Sequence, residues 1–434
     1  MKRSLLTSFA LLVLGGLSLG QGFFASLENH PSLLQARLSL EAAQAQLRAV
    51  QSPLSLQAQG GLSFFETSPP PGPPVCPNPI NPQCLELPSD ARQITLGLTF
   101  TPFPFGDVAD AVNQAALGVA QAELGLRQAR TQLQAQAVEA AYRVRLAERG
   151  LEVARLAVRV AQASLEATRL RAQRGAAGPN ELRQAEAGLR QAALQQAEAE
   201  RNLALAQQNL ADLIGSGRAE PPPLPLPPEA TPPQVRQAEL QLANAQIGYD
   251  RALRSVLPVL QGSYTRNTSN QEAWSISLNS RTLQPSLSYT HQSQGRTPPQ
   301  DRIQGTLQIG LSANISFGLL DALGAAQKQV EAAQQALEAA RRSSKLQLEL
   351  LQAALKSAEQ NLENARSALK DAEQSLNEAK ERERLGLTSP LATLQAELSL
   401  AQARLGVEQA ELGRIQRILD LYRFYALPPS EVTP

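Results

Sequence analysis

From Val108 to Arg174 the chain keeps a helical pattern with no proline to interrupt it, and Leu323 to Leu385 does the same. At 1.5 Å per residue, each segment makes a rod roughly 100 Å long. No ordinary globular core holds such a helix, so these rods must pack sideways against others. Their apolar positions fit that requirement. Leu348, Leu351, Leu355, Ala358, Leu362, Ala365, Leu369, Ala372, Leu376 and Ala379 follow one another at spacings of three and four. Leu182, Ala185, Leu189, Ala192, Ala199, Leu203, Ala206, Leu210 and Leu213 do likewise, with Gln196 as one break. A seam that repeats every 3.5 residues forms a left-handed coiled coil. Alanine alternating with leucine allows closer approach than leucine alone. Composition agrees: 43% of residues are hydrophobic but only 4% are aromatic, so the core cannot lean on large rings.

Gly175 and Gly386 stop the long helices, and Pro179 and Pro390 open returning ones. Glycine after a helix end and proline at a helix start are the favoured punctuation. Each long helix therefore folds back as a hairpin, and the whole plan occurs twice. The expected organisation is a signal segment at 1–20, a first repeat at 21–215, a Pro-rich linker at 216–233, a second repeat at 234–427 and a tail at 428–434. Each repeat runs short helix, strands, long helix, turn, returning helix.

The strands are marked by strict alternation. Ile303, Leu307, Ile309, Leu311, Ala313, Ile315 and Phe317 share one face, against Gln304, Thr306, Gln308, Ser312, Asn314 and Ser316. In the first repeat Ile94, Leu96, Leu98 and Phe100 oppose Gln93, Thr95 and Thr99. The opening strands match: Leu54, Leu56, Ala58, Leu62 and Phe64 in one repeat, Leu260 and Tyr264 in the other. Pro53 and Pro258 stand at the strand entries, where proline is tolerated. Alternation means one covered and one wet face. The pattern alone suits a soluble sandwich or a membrane barrel, whose apolar face meets lipid.

Other classes are disfavoured. Forty basic and 39 acidic residues leave a net charge of +1, which removes the electrostatic case for nucleic acid. His30 and His291 are the only histidines, so little is available for a His-based triad or a zinc site. No cofactor or metal is expected, and no constellation of acid, base and nucleophile emerges. The chain opens with Lys2, Arg3, an apolar run Leu5 to Leu14 and the small residues of Ser18-Leu19-Gly20, which reads as an export signal. An uncleaved anchor is the rival. Cys76 and Cys84 lie in a Pro-rich stretch; in an oxidising compartment they could close a small disulfide loop, and two free thiols are the alternative.

A few strands per chain cannot close a membrane barrel. Open edges in lipid leave backbone groups unpaired, at several kcal/mol each, in order-of-magnitude terms. Closure needs several chains, with the hairpins as staves of a tube. Here the sequence resembles the TolC family of outer-membrane efflux and secretion channels, over essentially the whole mature chain. Ala141-Tyr142-Arg143-Val144-Arg145-Leu146 is similar to the family's aromatic-bearing stretch in the first long helix. Pro104-Phe105-Gly106-Asp107 and Gly318-Leu319-Leu320-Asp321 resemble the strand-to-helix junctions, and Asn209 to Gly215 the end of the first copy.

The resemblance implies a mainly α-helical fold with a membrane β-barrel. Three chains would each give four strands to a twelve-stranded barrel continuous with a coiled-coil tunnel. It implies an outer-membrane location with a long periplasmic helical portion, and no covalent chemistry. The partners would be two further copies of the chain, lipid, a periplasmic adaptor protein and an inner-membrane pump. Leu385, Gly386, Leu387, Thr388 and Ser389 resemble the hairpin tip that docks the adaptor; Arg174, Gly175 and Ala176 are the looser counterpart. Where some members narrow the tunnel with aspartates, this chain has Ala392 and Gln395 in one repeat and Glu181 and Gln184 in the other. Only Glu181 could join a carboxylate ring, and a solvated glutamate favoured by the helix dipole is the simpler reading. The segment 273–291 carries extra alternation, with Trp274, Ile276 and Leu278 on one side. It is expected as a hairpin in an enlarged external loop, with extra barrel strands as the alternative. The competing function is a periplasmic coiled-coil adaptor or envelope tether, although adaptors usually carry one helical hairpin and this chain has two.

Overall fold

The computed structural model describes residues 23–64, 90–293, 303–313 and 317–432. The signal segment and both cysteines, Cys76 and Cys84, lie outside the described residues. After a single turn of 3-10 helix, Ser26–Asn29, the elements run α1 (Pro31–Val50), β1 (Leu54–Phe64), β2 (Asp90–Phe100), α2 (Asp107–Gln173), α3 (Pro179–Ile214), α4 (Pro233–Val256), β3 (Val259–Asn267), β4 (Glu272–Asn279), β5 (Ser286–Gln292), β6 (Gly305–Ser312), α5 (Phe317–Arg384), α6 (Pro390–Tyr425) and α7 (Pro429–Val432). The two long helices have 67 and 68 residues. The second starts earlier than its sequence pattern suggested: Phe317 and the Gly318-Leu319-Leu320-Asp321 junction already belong to α5, and β6 is correspondingly shorter.

The chain forms two compact units. The first comprises 1–40, 122–237 and 339–434. Its core gathers around the middle of α2, where Leu133, Ala135, Ala137, Val138, Ala141, Tyr142 and Val144 are buried. Against them pack Phe23, Phe24, Leu27 and Leu33 from the N-terminal segment, Leu210 of α3, Leu224 of the linker, and Ile415, Ile418, Leu419 and Tyr422 of α6. The stretch that resembles the family's aromatic-bearing motif is thus a packing element. Polar groups pin the ends of this core. Gln134 Nε2 donates to Ser430 Oγ at 2.8 Å, and Ser430 N returns a bond to Gln134 Oε1 at 3.0 Å. Tyr422 donates its hydroxyl to Pro225 O at 2.9 Å, tying the linker to the last long helix.

The coiled-coil seams follow the heptads. From Leu348 to Ala379 every seam position is buried or half-buried, and nearly all residues between them are exposed. The α3 seam from Leu182 to Leu213 behaves the same way, Gln196 included. Arg169 and Glu186 bridge α2 and α3 at 3.8 Å, and Arg414 and Glu359 bridge α5 and α6 at 3.7 Å.

The second unit comprises 41–121 and 238–338 and holds a six-stranded antiparallel sheet in the order β1-β2-β5-β4-β3-β6. This corrects two expectations. The segment 273–291 is not an external hairpin: β4 and β5 stand inside the sheet, between β2 and β3. Among the described residues the chain therefore supplies six strands where the resemblance implies four. The strands have seven to eleven residues. The turn between β4 and β5 lies on the helix-bearing side of the sheet. Phe100 N donates to Pro285 O at 3.0 Å, and Gln284 Nε2 to Thr101 Oγ1 at 2.6 Å, so it seats against the exit of β2.

Just beyond that exit, helix ends of opposite polarity meet. Asp107 and Asp110 occupy the first turn of α2, and Arg254 the last turn of α4, each the sign its helix dipole favours. The Asp110 carboxylate is buried and accepts from Arg254, with Arg251 at 3.6 Å. Gly106 precedes this corner with φ +55°, and a Cβ there would lie 1.9 Å from the backbone oxygen of Arg281. The family-like junction is thus held by a close backbone approach to the β4–β5 turn. Gly106→Ala is expected to lower stability by about 1–2 kcal/mol through left-handed backbone strain alone, with the clash adding to it. Thermal unfolding in detergent, followed by circular dichroism, checks this. An unshifted midpoint would remove the turn from its seat.

Candidate functional site

Pairing registers carry one apolar face across all six strands. Leu56 lies opposite Leu98, which lies opposite Leu287, then Ile276, then Tyr264, then Leu307. The neighbouring rows are largely apolar: Ala58, Leu96, Tyr289 and Trp274 in one, which ends on Arg266 and Gly305, and Gly262 flanked by Leu278 and Ile309 in another. This face is open in the single chain, with Leu56 77% and Leu311 73% exposed. Arg92, Arg266, Glu272 and His291 lie on the same face, near the ends of their strands farthest from the helices. Trp274 and Tyr289 pair beside them, ring centroids 4.9 Å apart. The opposite face is made of serine, threonine, glutamine, asparagine and small residues. Ser275 and Ser288, and Ser277 and Ser286, join their hydroxyls at 2.6 Å across β4 and β5. Thr95 and Thr290 lie 3.5 Å apart across β2 and β5. No charged side chain projects from this polar face among the described residues.

The helix reversals are near copies of one another. At the first, Gly175 has φ +72°, its N–H donates to Ala172 O at 2.9 Å, and Ala176 N donates to Arg171 O at 2.8 Å. At the second, Gly386 has φ +71°, its N–H donates to Glu383 O at 2.8 Å, and Leu387 N donates to Arg382 O at 2.8 Å. This is the glycine-closed helix end in which the last carbonyls are satisfied by the reversing chain. Gly178 and Ser389, both extended, then lead into Pro179 and Pro390. Arg174, Gly175 and Ala176 are exposed, as are Leu385, Gly386, Leu387 and Ser389, with Thr388 half-buried. The second reversal differs in presenting two leucines to solvent, Leu385 at 63% and Leu387 at 71% exposure.

Glu181 occupies the first turn of α3 and is exposed; Gln184 and Gln395 are exposed too, and Ala392 is half-buried. His30 Nδ1 lies 2.8 Å from Ser32 Oγ at a helix start, and His291 lies 3.8 Å from Glu272. Among the described residues no three His, Cys, Asp or Glu side chains converge as a metal would require. No described helix is long and apolar enough to cross a membrane.

Sequence reasoning missed a charged girdle in the first unit. Arg145 donates to Glu408 and Glu411, its Nε 2.9 Å from the former and its Nη2 3.2 Å from the latter, which ties α2 to α6. Beside it Glu139 accepts from Arg143 at 2.6 Å and from Gln416 at 2.9 Å, with Arg423 at 3.6 Å. Burial is the largest influence on the Glu139 carboxyl and pushes its pKa up. The Gln416 hydrogen bond, the charge and hydrogen bond of Arg143 and the charge of Arg423 outweigh it, so the pKa is held below the ordinary value. Burial pushes the Tyr422 phenol up to about 12, so its hydroxyl stays protonated at neutral pH. Only the Arg and Glu periodicity of α2 and α6 hinted at this girdle, because its partners are far apart in the chain.

Paired helical hairpins, joined to an antiparallel sheet with one mainly apolar face, define an outer-membrane channel fold of the TolC type. The family model of outer membrane efflux proteins matches residues 25–216 and 229–426, and the chain belongs to that family. It is a family of transport proteins of the outer membrane, with a long helical periplasmic portion. Three solved structures show the same fold. The CmeC outer membrane channel of Campylobacter jejuni superposes with a TM-score of 0.65 at 17% identity, over 94% of this chain and 86% of that one. The outer membrane protein VceC of Vibrio cholerae gives 0.64 at 19% identity, over 94% and 96%. The MtrE outer membrane channel of Neisseria gonorrhoeae, in its open state, gives 0.60 at 20% identity, over 94% and 89%. No curated protein matches the sequence significantly.

Two substitutions test these assignments. A Cβ at Gly386 would meet nothing within 4 Å, so Gly386→Ala is expected to cost only the left-handed backbone strain of about 1–2 kcal/mol, with no clash added. A thermal midpoint falling as far as that of Gly106→Ala would contradict this. For Glu139 the lowered folded-state pKa means that the unfolded chain binds its proton first as pH falls. Its stabilisation is complete above about pH 4.5 and is lost as pH drops through the folded value. Glu139→Gln is expected to flatten this acid limb, read as unfolding midpoint against pH; an unchanged limb would remove Glu139 from it.

Proposed function

We propose that this chain is the outer-membrane exit channel of a tripartite efflux or type I secretion system. Three copies form a passive conduit for small molecules or polypeptides, and the energy comes from an inner-membrane pump reached through a periplasmic adaptor. The observation that carries this reading is the apolar sheet face. Its row from Leu56 to Leu307 crosses all six strands without a charged residue, and a soluble monomer has nothing to cover it with. Facing lipid, the same surface is satisfied, and the hydroxyl and amide face lines water. A tether or adaptor would have no use for it.

The channel performs no covalent chemistry in this reading. The two helix reversals are its docking tips. Their shared backbone geometry makes the repeats equivalent as supports, and the exposed Leu385 and Leu387 make the second the stronger apolar contact. Adaptor tips bury such side chains on docking, and each leucine removed from water contributes roughly 1.5–3 kcal/mol. Glu181, in the first turn after the first reversal, is the one candidate for a carboxylate ring at the tunnel mouth.

Extraction from membranes, chemical crosslinking and single-channel recording test the conduit. The expected result is a detergent-requiring trimer that conducts in planar bilayers, and a monomer soluble without detergent would end the proposal. For the tips, Gly386→Asp together with Leu387→Asp is expected to weaken adaptor pull-down about tenfold or more while trimers persist. Unchanged adaptor binding would reassign the second reversal to simple chain turning.

A further inference from the structure

The hairpin of β4 and β5 changes what the assembled wall can be. We propose that each chain contributes six strands to the membrane wall, so that three copies close an eighteen-stranded barrel through β6 of one and β1 of the next. This rests on the trimeric channel reading above, and it departs from the twelve strands that the resemblance implies.

The sheet supports it in four ways. First, the inserted strands continue both faces in register. Trp274, Ile276, Leu278, Leu287 and Tyr289 extend the apolar face, and Ser275, Ser277, Ser286 and Ser288 extend the polar one. An external loop would have no reason to keep this match. Second, the turn between them docks on the helix-bearing side of the sheet, at Gly106 and Thr101. The hairpin therefore crosses the full sheet rather than capping its far end. Third, strand direction alternates through β1, β2, β5, β4, β3 and β6. With an even count, β6 of one copy meets β1 of the next antiparallel, both apolar faces on the same side. Fourth, both edges invite such pairing. β1 and β6 carry no charge and no proline, the devices that soluble proteins use to block edge association. One copy alone has too few strands, since membrane barrels start at about eight.

The count sets the bore. Strands about 4.8 Å apart and tilted by about 40° give a backbone diameter of roughly 36 Å for eighteen strands and about 24 Å for twelve. The wider ring is lined only by uncharged side chains among the described strand residues, so the barrel itself does not sort permeants by charge. It suits bulky or polypeptide cargo, and the sorting falls to the helical tunnel and the pump.

Trp274 is the only tryptophan in the chain and so a natural reporter. The full-length protein is reconstituted into phosphatidylcholine vesicles whose acyl chains carry bromine at shallow or deep positions, and its copy number is measured in detergent by native mass. In parallel, Thr95→Cys with Thr290→Cys is oxidised in a Cys76→Ser, Cys84→Ser background and mapped by peptide mass. Expected are three copies, Trp274 emission quenched at least twofold by shallow bromine, weak quenching by acrylamide, and a crosslink between β2 and β5. Three copies with Trp274 open to acrylamide, unaffected by bromine and without the crosslink would overturn the six-strand wall and leave the channel reading standing. Two copies would give a twelve-stranded dimer and overturn both the eighteen-strand count and the trimer. Failure to insert into vesicles would sink the channel reading and this inference with it.

Discussion

Backbone hydrogen bonding in lipid is the constraint on which the rest depends. A strand edge facing hydrocarbon leaves its N–H and C=O groups unpaired, and no water is present to replace the partner. The sheet of this chain satisfies its interior fully: β2, β5, β4 and β3 each pair on both sides. Its outer strands, β1 and β6, are satisfied on one side only. In the proposed trimer, other copies of the chain supply the missing partners. In that reading oligomerisation is a condition of stability in lipid rather than a regulatory addition. The apolar face belongs to the same condition, because it is stable only where lipid replaces water.

The helical part meets a different requirement with different residues. Leucine and alanine alternate along α3 and α5 on their covered face, a pattern that permits close helix approach. Such seams have little bulk and would slide without a fixed point. The first unit supplies one at the middle of α2, where Tyr142, the N-terminal phenylalanines and the end of α6 converge on a dense core. Arg145 with Glu408 and Glu411, and Glu139 with Arg143, Gln416 and Arg423, add directional contacts that hold the register. The Gln134–Ser430 pair and the Tyr422 hydroxyl then fasten the tail and the linker to the same place. The rods beyond this region are left with solvated faces and exposed tips, which suits surfaces reserved for other chains.

Much of this was legible in the residues. The heptads of α3 and α5 named the covered positions one by one, because a helix face is set by spacing alone. Gly175 and Gly386 marked the reversals, because only glycine accepts their left-handed backbone without strain. The alternation at Leu56, Ile94 and Leu307 gave strands and faces together. The place of β4 and β5 was not legible. Trp274, Ile276 and Leu278 showed that a strand was present, but its neighbours are chosen by long-range pairing between residues almost two hundred positions apart, as with Ile94 and His291. Nor did any local signal tell that Gly106 packs against the carbonyl of Arg281.

The amino-acid sequence by itself determined the elements, the duplication, the helix reversals and the apolar side of every strand, since each depends on periodicity or on the backbone freedom of one residue. Only the tertiary structure decided which strands are neighbours, that six of them share one sheet, and which charged groups meet around Glu139 and Arg145. Those outcomes depend on contacts between distant segments, where many pairings satisfy the same local pattern and one backbone arrangement pairs the four inner strands on both sides at once.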